Sequence, residues 1–70
     1  MKWTSAPPMG SGWCWWRRDK RTRCEAVLIE RYRGKLSVDR TSESPQTVSD
    51  LCLRFPACQW SDTPIPEPEE

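Results

Sequence analysis

Three tryptophans within four residues, in the stretch Gly12-Trp13-Cys14-Trp15-Trp16-Arg17-Arg18, constrain this chain more than anything else in it. The chain has 70 residues, enough for one domain at most. A domain of that size buries only about 60% of its extended-chain surface, so each large ring weighs heavily in any core. Tryptophan favours a pleated surface, and a strand over residues 12–18 turns Trp13, Trp15 and Arg17 one way. Cys14, Trp16 and Arg18 then point the other way. Rings on both faces predict a strand covered on both sides, or one face in the core and the other free for contact. Something must fill so small an interior, which favours a core role for Trp13 or Trp15.

The seven prolines stand at the two ends and in the loops, and none interrupts residues 10–44. Regular structure is expected there. Cys24 to Tyr32 carries Val27 and Ile29 on one face and Ala26, Leu28 and Tyr32 on the other, the pattern of a central strand. Lys35 to Asp39 alternates, with Leu36 and Val38 inward. Between them Tyr32-Arg33-Gly34-Lys35 reads as a hairpin turn with Gly34 supplying a positive φ. Thr47-Val48-Ser49 reads as a short fourth strand, and Ser49-Asp50 as the cap of a single helical turn near residues 50–54, stopped before Pro56. Phe55, Cys58 and Trp60 add apolar mass. The expected fold is mainly β: a small antiparallel sheet or SH3-like barrel of 3–5 strands with proline-rich extended ends. Its parts are an arm (1–11) anchored by Trp3, a β domain (12–61) and an extended Pro/Glu tail (62–70) with Ile65 as its apolar peg.

The net charge of +1 hides an asymmetry. Residues 17–40 hold nine Lys/Arg against four Asp/Glu, a net of +5, and residues 41–70 hold one against six, a net of −5. Opposite halves of this kind suit pairing within or between copies, or a positive face for an anion. A homodimer that buries strand edges is one outcome. No stretch approaches the roughly 20 apolar residues of a membrane span, and Met1-Lys2 is followed by no apolar signal region. A cytoplasmic location is therefore expected.

The cysteines at 14, 24, 52 and 58 have spacings of C-x9-C, 27 intervening residues and C-x5-C. Zinc knuckles need C-x2–4-C so that one tight turn presents both thiolates, and the chain has no histidine. A disulfide framework needs an oxidising compartment that nothing here indicates. The favoured reading is four reduced thiols packed as small apolar side chains.

Catalysis needs a base, a nucleophile or a metal at defined spacing. With no histidine, no nucleophile elbow and no phosphate loop, neither an enzyme nor a cofactor or metal site is expected. Binding is the better expectation. Trp15 or Trp16 is placed to stack on a base while Arg17, Arg18, Lys20, Arg21 and Arg23 hold phosphates of a nucleotide or a single strand. The same residues suit a protein interface, because Trp and Arg are enriched at hot spots. Arg31 and Arg33 extend the candidate surface.

The aromatic strand Trp-x-Trp-Trp-Arg is followed by a Val27-x-Ile29 … Tyr32-Arg33-Gly34-Lys35-Leu36-x-Val38 hairpin. Next come Thr47-Val48-x-Asp50-Leu51 and an ending Trp60-x3-Pro64-Ile65-Pro66-x-Pro68. Over about residues 12–69 this resembles small uncharacterised β-barrel-like proteins of phages and prophages. The chain departs from them in its four cysteines and its basic first loop. The resemblance implies an accessory protein that inhibits or sequesters a host component, such as part of an anti-phage defence, in the cytoplasm of a bacterium.

Overall fold

Alternation along β2 and β3 decides the architecture. In the computed structural model, which describes residues 2–7, 12–40 and 44–68, the elements are β1 (Trp3–Thr4), β2 (Gly12–Arg17), β3 (Glu25–Tyr32), β4 (Lys35–Asp39), β5 (Gln46–Thr47), α1 (Val48–Arg54) and β6 (Gln59–Ser61). Of the expected arm, residues 1 and 8–11 lie outside the described residues, as do residues 41–43 and the last two residues of the expected tail. The strands form one six-stranded sheet in the order β1-β6-β2-β3-β4-β5, with every neighbouring pair antiparallel.

The mainly β expectation holds, with two refinements. The sheet stays open rather than closing into a barrel, and it has six strands rather than 3–5. The strands beyond those expected are β1, taken from the arm, and β6; the expected fourth strand lies at Gln46–Thr47, and the two edges, β1 and β5, are two residues each. Such short edges leave little for another chain to pair with.

The β3–β4 turn has positive φ at both central residues, Arg33 (51°) and Gly34 (76°). That is the combination whose twist matches the flanking strands. Gly34 adopts it without cost, whereas Arg33 has to tolerate crowding of its Cβ.

Residues 47–54 correct the sequence reading. Val48 and Ser49 are helical, and the cap is Thr47 rather than Ser49. The Thr47 hydroxyl accepts from the Asp50 N–H at 3.0 Å, which starts the helix two residues earlier than expected. Asp50 in the first turn and Arg54 in the last both suit the helix dipole. Pro56 disfavours helical backbone at Phe55, whose N–H closes the last turn on Leu51 O at 2.8 Å.

Helix α1 covers one face of the sheet. The register sets Cys14 opposite Val27, Ile29 opposite Val38 and Trp16 opposite Trp60, so all six side chains share that face. They are buried together with Leu51 and Cys58, and Leu36, Val48, Cys52 and Phe55 pack around them. Trp16 meets Trp60 at 6.2 Å between ring centroids and Phe55 edge-on at 5.7 Å. Burying a tryptophan contributes roughly 4–6 kcal/mol by area as an upper bound, so these two rings dominate the core.

The assignment of tryptophans is thereby reversed. Trp16 is 2% exposed, while Trp13 and Trp15, expected to fill the core, are half-buried on the other face. The reason is register: Trp13 and Trp15 pair with Leu28 and Ala26, away from the β-branched row that receives α1. The tail runs beside β2, where the Ile65 N–H donates to Trp13 O at 2.9 Å. Ser61, fully buried, makes the transition: its Oγ accepts from the Trp15 N–H at 3.0 Å and donates to Thr63 O at 3.1 Å.

Trp3 folds back on the sheet. The Lys2 N–H donates to Asp62 Oδ1 and the Asp62 N–H donates to Lys2 O, both at 2.9 Å. The bond from Lys2, aided by the Thr63 hydroxyl, holds the Asp62 carboxyl below its usual range. Among the described residues no helix is long and apolar enough to cross a membrane.

Candidate binding surface

The β2–β3 loop is a basic tip organised by one acid. Asp19 Oδ1 accepts from the Arg21 N–H at 2.7 Å and the Thr22 N–H at 3.1 Å. The Thr22 hydroxyl accepts from the Asp19 N–H at 3.0 Å and donates to Asp19 O at 3.1 Å. This closed local network satisfies the turn's own polar groups. Lys20, Arg21 and Arg23 are left exposed around it.

Between this loop and the end of α1 lies a cleft of about 430 Å³ walled by arginines and rings. Arg40 sits over Trp16, 4.4 Å from the ring centroid, and 5.9 Å from that of Phe55. Arg54 and Arg18 approach the same Phe55 ring at 4.9 and 6.0 Å. Arg23 also lines the cleft. Glu25 is its one acid and binds Arg40, with Oε1 at 2.8 Å from Nε and 2.7 Å from Nη2. Four arginines against one glutamate give the lining a net charge of +3. Stacking on rings suits a guanidinium, which is weakly hydrated and keeps its donor edges available while its face is covered.

The residues singled out from the sequence divide into four groups. Arg18 and Arg23 line the cleft, and Trp16 closes its floor without a ring face open to a base. Lys20 and Arg21 border a neighbouring hollow of about 610 Å³ with Pro56 and Gln59. Arg17 turns to the opposite face, 4.1 Å over the Trp3 ring, and donates to Gln59 Oε1 at 2.8 Å, while Trp15 lies half-buried on that face. Arg31 and Arg33 belong to the far end of β3, with Arg33 5.4 Å from the Tyr32 ring. Eight extended residues put about 23 Å between that end and Glu25.

Arg40, Arg54 and Phe55 escaped the sequence reading. Arg40 was legible: it continues the period-2 row of Leu36 and Val38, which reaches the same face as Trp16. Arg54 and Phe55 required knowing that α1 begins at Val48 and seats its end beside the loop.

The cysteines are placed unequally. Cys14 and Cys58 are buried and Cys52 is half-buried, but Cys24 is exposed, against the expectation of four packed thiols. Cys24 follows the polar turn, just outside β3, where no apolar element covers it. Burial pushes the Cys14 thiol up to about 11, so it stays protonated and unreactive at neutral pH. Among the described residues no three His, Cys, Asp or Glu side chains gather as metal ligands.

The fold and surface define a small open β-sheet backed by one helix, with an arginine-and-ring cleft at one end. Compared with known proteins, the chain matches no family model, no curated protein and no solved structure.

Proposed function

We propose that this chain is a non-enzymatic binding protein that inhibits or sequesters a host component by seating an acidic surface of that partner in the arginine cleft. The observation that carries the reading is the set of three guanidiniums within 6.0 Å of one Phe55 ring, with Arg23 beside them. Contacts with the half-buried Phe55 ring and, for Arg40, the buried Trp16 ring hold the guanidiniums in place, which lowers the ordering cost of engaging carboxylates. The resemblance of residues 12–69 to phage accessory proteins supports the host-directed part of the proposal and a bacterial cytoplasm as its setting.

A nucleotide or single-stranded nucleic acid is the second reading. It is favoured by a cleft volume of about 430 Å³, within the range of small-ligand pockets, and by the exposed Lys20 and Arg21 nearby. Phe55 then takes the stacking role first given to Trp16.

Pull-down from bacterial lysate tests the proposal. Wild type should retain a partner that Arg18→Glu/Arg23→Glu loses and Arg31→Glu/Arg33→Glu keeps. Equal recovery by all three proteins removes the cleft from the interface. Binding of an oligonucleotide or nucleotide that weakens steeply with salt moves the assignment to the second reading, and no such binding at low salt ends that reading.

A further inference from the structure

We propose that Cys52 and Cys58 form a dithiol modification site that closes to an intramolecular disulfide when a small-molecule disulfide such as oxidised glutathione is present. The two Sγ atoms are 3.9 Å apart, in contact but unbonded. Closure shortens that separation to about 2.05 Å, a movement within reach of side-chain rotation. Their backbones are held where they are: Cys52 lies in α1, and Cys58 ends a turn whose N–H donates to Phe55 O at 3.0 Å. Cys52 is the half-buried member and Cys58 the buried one, so an incoming reagent meets Cys52 first. Among the described residues this is the sulfur–sulfur contact observed.

The reaction takes two exchanges. Cys52 gives up its proton and its sulfur attacks the glutathione disulfide. One S–S bond breaks, a mixed disulfide forms on Cys52, and the released glutathione thiolate takes a proton. Cys58 then loses its proton and attacks the Cys52 sulfur, expelling the second glutathione as a thiol. Two protein thiols are oxidised, one small disulfide is reduced, and no other oxidant is required. Burial and the adjoining Cys58 thiol hold the Cys52 thiol above its ordinary range. The Trp60 side chain works weakly the other way. The first exchange is therefore slow at neutral pH and faster in mild base.

The loop closed by the bond contains Arg54 and Phe55, which line the arginine cleft. Oxidation thus fixes one wall of that cleft. Only this consequence rests on the functional reading; the disulfide itself does not.

The test treats the folded chain with oxidised glutathione at about pH 8, then unfolds it in iodoacetamide and maps the peptides. A Cys52–Cys58 crosslink is expected, and the step from the Cys52 mixed disulfide to the closed bond should run about tenfold faster in the folded protein than in urea, where the pair is no longer held together. Cys24→Ser should leave it unchanged. Cys58→Ala should stop at a stable glutathione adduct on Cys52. Alkylation of both cysteines in wild type, a persistent adduct on Cys52, or equal rates of the closing step in folded and unfolded chains would each overturn the proposal. If Cys58→Ala fails to fold, the wild-type map and the rate comparison still decide.

Discussion

The two faces of this sheet carry similar aromatic mass and do different work. One holds Trp16 and Trp60, 2% and 0% exposed, sealed beneath α1. The other holds Trp3, Trp13 and Trp15, each half-buried, with Arg17 over Trp3. The difference does not come from the rings. It comes from the face each set shares: Trp16 and Trp60 lie on the side of Cys14, Val27, Ile29 and Val38, which accepts a helix, and Trp13 and Trp15 pair with Leu28 and Ala26 on the other. A tryptophan becomes core here because the row of side chains it shares a face with can take a cover.

That contrast is most directly broken by truncation. Trp60→Ala should cost about 3–5 kcal/mol in urea unfolding, because the site is closed on all sides and cannot collapse. Trp15→Ala should cost about 1–2 kcal/mol, since only part of its ring leaves water on folding. Equal losses would mean that the second face is a core as well.

Alkaline titration sharpens the same contrast with a smaller effect. Cys14 faces the helix-covered side, and burial raises its thiol from 9.0 to about 11. Below pH 9.0 the thiol is protonated in both folded and unfolded chains, and stability is complete. Between 9.0 and about 11 the unfolded chain releases its proton first, so stability falls as pH rises. The loss should level off at about 2–3 kcal/mol, and Cys14→Ala should remove that part of the slope.

The smallest effect belongs to the open face. Arg17→Ala should lower stability by about 1 kcal/mol through lost packing on Trp3. A double-mutant cycle with Trp3→Ala should give a coupling of about 0.5–1 kcal/mol. No coupling would mean that the Arg17 stack contributes nothing to the anchoring of β1.

Much of this was legible in the sequence because alternation is local. β2, β3, β4 and the turn at Arg33-Gly34 follow from side-chain period and turn chemistry. What escaped was non-local. Which face of β2 would be covered depended on the approach of α1, some thirty residues later in the chain. The start of α1 hinged on one hydroxyl, because Thr47 and Ser49 both offer a cap and only the observed bond separates them. In the candidate site Arg18 and Arg23 could be found from the basic loop. Arg40 and Arg54 reach the cleft from β4 and α1, and no sequence window joins them. Arg31 and Arg33 fell away for the complementary reason: they are near in sequence to the basic loop but a full strand length away from it.

The position of β6 between β1 and β2 has a consequence for synthesis. Among the described residues β1 pairs with β6 alone, and Lys2 bonds a residue 60 positions later. On a ribosome adding roughly 5–20 residues per second, Trp3–Thr4 is made before β6 and waits seconds for its partner. Until then β2 has one bare side and Trp16 lacks Trp60 against it. A nascent chain stopped short of Gln59 would therefore display Trp16 and an unpaired edge of β2 together.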